Sequence, residues 1–220
     1  RQLAELGANE AGELTGDMEY GDGFADAAAT TAERTELLAI VENLRGMLAD
    51  VDTTSFEGDH FHVDDVTCVP GPFDGSIPLW TGGRGPRRTP DVAARFCSGW
   101  NVPYVGPDEY RRLNDRIDAA CEAHARDPST LERSVNLAFH VGATPDDAEF
   151  ELQKIRDQWG AEADRVTEGA LTGTPDQAVE RIAAYRDAGA DLVNIALRLP
   201  VDQDALDAYL TDVVPIARQL

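Results

Sequence analysis

The sequence predicts an α/β protein of strand–helix units around a parallel sheet, and three observations carry that prediction. Short apolar runs recur down the chain, near residues 77–81, 100–105, 135–141, 170–172 and 191–197. Three of them are followed by the same tripeptide, Thr89-Pro90-Asp91, Thr144-Pro145-Asp146 and Thr174-Pro175-Asp176, with Gly106-Pro107-Asp108 as a variant. The residues after each tripeptide have a helical pattern, as in Val92, Ala93 and Phe96. The tripeptide has a direct physical meaning. Thr accepts an amide hydrogen bond as N-cap, Pro fits the first helical position where its missing N–H costs nothing, and Asp meets the positive end of the helix dipole. Strand, capped helix, strand, capped helix means βα units and a parallel sheet, whose strands are expected to be buried on both faces.

Taken in order, residues 1–33 are rich in Gly, Ala, Asp and Glu and read as a mobile loop. Residues 34–76 read as a helix plus an insertion hairpin. The helix follows Thr31 and carries Leu37, Leu38, Val41, Leu44 and Leu48 at the spacing of a buried face. The hairpin is two short strands about a turn within residues 55–63. Residues 77–220 are the βα units, ending in a helix from about Val201 to Arg218. All 220 residues are read as one domain. A closed barrel of eight parallel strands needs ~250 residues. The units therefore form either an open sheet or the latter part of a barrel whose first strands are absent. The chain starts at Arg1 rather than Met, which fits a missing natural N-terminus.

Charge narrows the function. Asp and Glu total 41 against 19 Lys and Arg, a net charge of −22, and Lys154 is the single Lys. Such a surface repels nucleic acid and anionic membrane. With 42% hydrophobic residues the chain is not a disordered acidic tail. It reads as a folded, halophilic protein of a high-salt cytoplasm, where screening relieves self-repulsion. No run reaches the ~20 apolar residues of a membrane span, and no signal-peptide pattern is present. Cys68, Cys97 and Cys121 are too widely spaced for a disulfide framework or a zinc site. Cys97 and Cys121 fall in helical patterns, as small core hydrophobes do.

Thr81-Gly82-Gly83-Arg84-Gly85, followed by Val92-Ala93-Ala94-Arg95-Phe96-Cys97-Ser98-Gly99-Trp100, resembles the luciferase-like monooxygenase superfamily. Those enzymes use FMN or coenzyme F420. Phe56-Glu57-Gly58-Asp59-His60-Phe61 is similar to the insertion before that strand, and Gly173 to Arg181 with Gly189-Ala190-Asp191 is similar to the closing unit. The resemblance spans roughly residues 34–220. It implies a TIM-type (β/α)8 barrel of the bacterial-luciferase-like kind, as a homodimer, of which this chain is the C-terminal part. The first strands, with most catalytic side chains, would precede residue 1, so no catalytic residue is assigned.

The Gly-Gly loop is the leading site. Glycines let a backbone approach a ligand, amides near a helix start attract anions, and Arg84, Arg87 and Arg88 cluster there. The resemblance implies that Gly82, Gly83, Arg84 and Gly85 hold the cofactor phosphate; the alternative is a tight turn with solvated arginines. Asn101 to Tyr104, at the end of the next strand, is expected to line the same mouth, the alternative for Tyr104 being a place in the core. Trp100 beside it reads as core. His60 and His62 share a strand face but lack the further ligands of a metal site, so no metal is assigned. His140, in an apolar strand, either points into the mouth or is a satisfied core histidine. His124 ends a helix and receives no role, and Asp64-Asp65 and Asp146-Asp147 read as solvated surface.

The function expected is thus a flavin- or deazaflavin-dependent oxidoreductase or monooxygenase. It would act on a small-molecule substrate by hydride transfer or oxygen activation, in the cytoplasm, without nucleic-acid or membrane partners. The alternative from another class is a non-catalytic flavin-binding relative or fragment. Another phosphate-binding barrel enzyme, such as an aldolase, would need a Lys nucleophile or a metal, and Lys154 falls on a helix expected to be an outer one.

Overall fold

The computed structural model describes Ala39 and residues 53–59, 62–67, 69–73, 77–198 and 200–220. The loop expected over residues 1–33 lies outside these. So does the apolar stripe from Leu37 to Leu48, together with His60, Phe61 and Cys68.

Strands β1 (Thr54–Glu57) and β2 (His62–Val66) pair antiparallel in a sheet of their own, with Phe56 opposite Val63. The main sheet comprises β3 (Trp80–Gly82), β4 (Gly99–Pro103), β5 (Glu132–Val141), β6 (Ala170–Gly173) and β7 (Leu192–Ala196). Every pairing within it is parallel. The helices that alternate with the strands are α1 (Arg88–Phe96), α2 (Pro107–Ala123), α3 (Pro145–Trp159), α4 (Ala163–Glu168) and α5 (Pro175–Asp187). After β7 come α6 (Gln203–Ala208), a π-helical turn (Tyr209–Val213) and α7 (Val214–Ala217). This run was expected as one helix. Pro215 cannot supply the amide that a continuous α-helix would need there, and the ladder widens just before it.

The edges of β5 set the order of strands. In a parallel strand, alternate residues direct their backbone groups to opposite edges. Glu132 N donates to Ser98 O and Gly142 N to Gly173 O, so β4 and β6 share one edge of β5 in succession. Asp191 N donates to Arg133 O, which puts β7 on the other edge. The sheet therefore reads β3-β4-β5-β7, as consecutive staves of a barrel would. β6 takes over beside β5 where the chain leaves β4 at Tyr104.

Side chains alternate across this sheet. Trp100, Val102, Val135, Leu137, Val141 and Leu171 form one face and are at most 1% exposed. Burial of a residue such as Leu137 contributes about 1.5–3 kcal/mol. On α2, Tyr110, Leu113, Ile117 and Cys121 recur every three or four residues and belong to the same core cluster. Ala178, Ile182 and Tyr185 do so on α5. The opposite face is different. Asn101, Asn136 and Asn194 lie there, only partly buried or exposed. The expectation of burial on both faces fails at these three asparagines, although Ser134 in the same row is 1% exposed.

The helix starts largely follow the tripeptides. Thr144 caps α3, and Asp147, read as solvated surface, closes a reciprocal capping box by accepting from Thr144 N at 3.1 Å. Gln177 does the same for Thr174 at the start of α5, at 2.9 Å. Thr89 departs from the pattern. Helix α1 begins at Arg88, two residues before Pro90, with Arg87 in the cap position and no side-chain cap. The Thr89 hydroxyl faces the glycine loop instead, 3.1 Å from where a Cβ on Gly85 would lie.

Candidate functional site

Gly82 ends β3, and the loop that follows is anchored from β4. Gly83 N donates to Asn101 O at 3.0 Å, and Trp100 Nε1 donates to Gly83 O at 2.9 Å. Both backbone polar groups of Gly83 are thereby engaged. Gly83 has φ of +121°, a region that side chains strongly disfavour. Trp100 is 1% exposed and stacks on Tyr110 at 5.5 Å, as its reading as core requires, but its indole N–H also pins the loop.

Beyond Gly83 the backbone is open. The amides of Arg84 and Gly85 have no hydrogen-bond partner among the described residues. They precede the uncapped start of α1, where further helical amides point outward. Arg84 reaches back over β4, with Nη2 3.5 Å from Pro103 O and Nη1 3.6 Å from Glu109 Oε1. Both contacts are long, so they hold the guanidinium weakly. Arg87 and Arg88 are exposed at the helix start. The loop thus sits at the C-terminal end of its strand, where (β/α)8 enzymes bind phosphate.

Asn101 turns its side chain along the polar face rather than to the loop. Its Nδ2 donates to Ser134 Oγ at 2.7 Å and to Asn136 Oδ1 at 3.2 Å. Trp80, Asn101, Ser134, Asn136, Leu192 and Asn194 line an open concavity of about 290 Å³. The asparagines come from one recurring tripeptide, an Asn between two apolar residues: Trp100-Asn101-Val102, Val135-Asn136-Leu137 and Val193-Asn194-Ile195. Parallel register sets Asn136 opposite Asn194 and Asn101 opposite Ser134. Of the three, Asn101 alone is expected at the site from its place after the Gly-Gly strand. The repeated polar residue at the centre of an apolar strand is the signal that finds the other two.

His140 continues the row of Ser134 and Asn136 toward the C-terminal end of β5. Its Nδ1 lies 3.0 Å from Glu151 Oε2, and Lys154 Nζ is 2.5 Å from Glu151 Oε1. Since His140 shares the face of Asn136, the bond to Glu151 places this part of α3 on the polar side of β5. Lys154, expected on an outer helix, is exposed there beside Glu151. A Cβ on Gly142 would fall 2.1 Å from Ala148 N, so only glycine lets α3 start so close to the strand end.

Two further histidines pair with carboxylates. His62 Nδ1 pairs with Glu57 at 2.5 Å. His124 Nε2 meets Asp91 at 2.7 Å and ties α2 to α1. Cys97 and Cys121 are buried, and burial pushes the Cys121 thiol up. No group of three or more metal-ligating side chains occurs among the described residues, and no described helix is long and apolar enough to cross a membrane.

Comparison with known proteins agrees with this architecture. Residues 11–165 match the sequence model of a family described as luciferase-like monooxygenase. A phthiodiolone/phenolphthiodiolone dimycocerosates ketoreductase of Mycobacterium bovis is 23% identical over 195 residues, covering 88% of this chain and 47% of that protein. Its Mycobacterium kansasii counterpart is 23% identical over 93% of this chain and 52% of its own length. The chain thus spans about half the length of the curated relatives it matches. Among solved structures, an F420-dependent secondary alcohol dehydrogenase with an F420-acetone adduct superposes with a TM-score of 0.68 at 16% identity, over 84% of this chain and 62% of that one. EDTA monooxygenase from Chelativorans sp. BNC1 gives 0.60 at 18% identity, over 86% and 61%. These likenesses establish the fold, a luciferase-like barrel type.

Proposed function

Because the chain belongs to the luciferase-like monooxygenase family, we propose that it supplies the cofactor-phosphate grip of an oxidoreductase using FMN or coenzyme F420. The single observation that carries this reading is the loop from Gly82 to Arg88. It combines two amides without a partner among the described residues, an uncapped helix start and three arginines, in a chain whose net charge is −22. That donor set fits a phosphate and would repel little else of negative charge.

In this reading Arg84 N and Gly85 N donate to the phosphate, and the guanidinium of Arg84 swings from Glu109 to join them. Gly83 serves by shape: its own N–H and C=O are bound to Asn101 and Trp100, which hold the loop open. Gly82 ends β3, and Asn101, paired with it in the middle of β4, anchors the loop. When bound, the flavin or deazaflavin ring supplies two-electron chemistry. The asparagine row offers neutral donors and acceptors beside it. The substrate is a small organic molecule, and the working unit is a homodimer in a salt-rich cytoplasm.

The test is a fluorescence titration of the intact protein in molar KCl with FMN, riboflavin and coenzyme F420. Either phosphorylated cofactor should bind at least tenfold more tightly than riboflavin, equivalent to ~1.4 kcal/mol. Equal affinity for FMN and riboflavin, with no F420 binding, would falsify the phosphate grip.

A further inference from the structure

We propose that His140, anchored by Glu151, is the proton-transfer residue of this site and presents Nε2 to a carbonyl or hydroxyl oxygen of the substrate. The inference rests on the oxidoreductase reading above and names the residue that would handle its proton.

The geometry is that of an oriented imidazole. Lys154 lies against one oxygen of Glu151 at 2.5 Å. The other oxygen lies 3.0 Å from His140 Nδ1, so the carboxylate accepts and Nδ1 donates. This fixes the tautomer and leaves Nε2 bare. Among the described residues Nε2 has no hydrogen-bond partner, and it is not one of the sealed-off polar atoms. The His140 side chain keeps 23% of its surface exposed, whereas that of Glu151 keeps 12%. A histidine serving only as a strut between β5 and α3 has no need of a buried carboxylate that is itself neutralised.

Position supports the same role. His140 stands in register with Thr172 at the C-terminal end of β5, the end of a barrel strand that carries chemistry. It lies four residues beyond Asn136 on the polar row, about 13 Å along the strand. The glycine loop ends β3, two strands away and so ~10 Å to the side, and Gly82 is level with Ser134, six residues or ~20 Å short of His140 along the strand.

In the reductive direction the substrate carbonyl carbon takes a hydride from the reduced cofactor, which is oxidised by two electrons. The carbonyl oxygen takes the Nε2 proton of the imidazolium and becomes a hydroxyl. The neutral imidazole keeps its Nδ1 proton on Glu151 and regains the other from water. Glu151 acts only through His140 and is a positioning residue.

The experiment uses His140→Asn, whose amide nitrogen replaces Nδ1 in the bond to Glu151 and removes Nε2. With the intact protein, the cofactor it binds, and acetone or 2-propanol as probes, kcat should fall ~100-fold. Cofactor affinity and melting temperature should stay within error. Glu151→Gln should lower kcat less and leave KM unchanged. Turnover by His140→Asn within twofold of the parent shows a strut and overturns the proposal. A parent protein that binds cofactor but turns over neither probe overturns the carbonyl substrate class. Nitrogen-15 spectra of the cofactor-free protein read the anchor independently of activity. Nδ1 protonated and Nε2 bare is expected; the opposite tautomer sinks the assignment. Absence of cofactor binding would instead be a failure of the phosphate grip, read in the titration alone.

Discussion

The indole Nε1 of Trp100 donates to the carbonyl oxygen of Gly83 at 2.9 Å, so a core residue holds the proposed phosphate loop in place. The ring is buried on the apolar face, stacked on Tyr110, while its N–H reaches the strand end next door. Trp100→Phe would keep much of the packing and lose the bond. We expect ~0.5–1.5 kcal/mol of destabilisation from the hydrogen bond alone, read in a denaturant melt. The variant should also bind FMN or F420 more weakly, since the loop loses its fixed geometry. Unchanged stability and affinity together would show that the bond is incidental.

Gly83→Val tests the loop by shape. The φ of +121° cannot be held by a β-branched residue without strain of ~1–3 kcal/mol. The nearest obstacle, Thr89 Oγ1, is 3.5 Å from the added Cβ, so backbone strain rather than collision is the cause. Cofactor binding should fall sharply while the far-ultraviolet circular dichroism stays native. Normal binding by this variant would make the loop a structural turn.

Arg84→Ala separates charge from shape. The side chain makes only long contacts, 3.5 Å to Pro103 O and 3.6 Å to Glu109, so its loss should change stability little. Loss of one charge-assisted hydrogen bond should cost ~1.5–3 kcal/mol, ten- to hundredfold in FMN affinity, with riboflavin unaffected. A parallel loss for FMN and riboflavin would remove Arg84 from the phosphate site.

The alkaline limit of stability should report Tyr185. Its hydroxyl donates to Val105 O at 2.6 Å in the core, and burial pushes its pKa up to about 12. The unfolded chain ionises near pH 10, so the folded state holds the proton longer. The stabilisation is complete below pH ~10 and is lost as pH rises to about 12, a loss of ~3 kcal/mol. Tyr110, buried nearby, shifts in the same direction. Melting temperatures from pH 9 to 11 should drop less steeply in Tyr185→Phe than in the parent. Parallel slopes would show that other groups govern alkaline unfolding.

Salt is the last test. A net charge of −22 should make the fold depend on screening. Circular dichroism should show structure lost in ~0.1 M KCl and restored near ~3 M. Equal melting temperatures across that range would remove the halophilic reading.

By itself the sequence determined the alternation of strands and helices and most of the helix starts. These signals are local. A cap, a proline and an apolar run act within one turn or one strand, so Thr144 and Thr174 announce their helices without reference to anything distant. The same locality made Thr89 misleading, because its hydroxyl faces a glycine loop whose position depends on β4. The tertiary structure decided what that loop can use. Only the pairing of Gly82 with Asn101 shows that the Gly83 amide is already bound, leaving Arg84 and Gly85 as the open donors. It also aligned the asparagines, since strand register joins residues such as Asn136 and Asn194 across 58 positions of sequence. And it brought Glu151 to His140, turning an apparent core histidine into an anchored imidazole. Contacts of that kind depend on where α3 lands on β5, which no short-range pattern encodes.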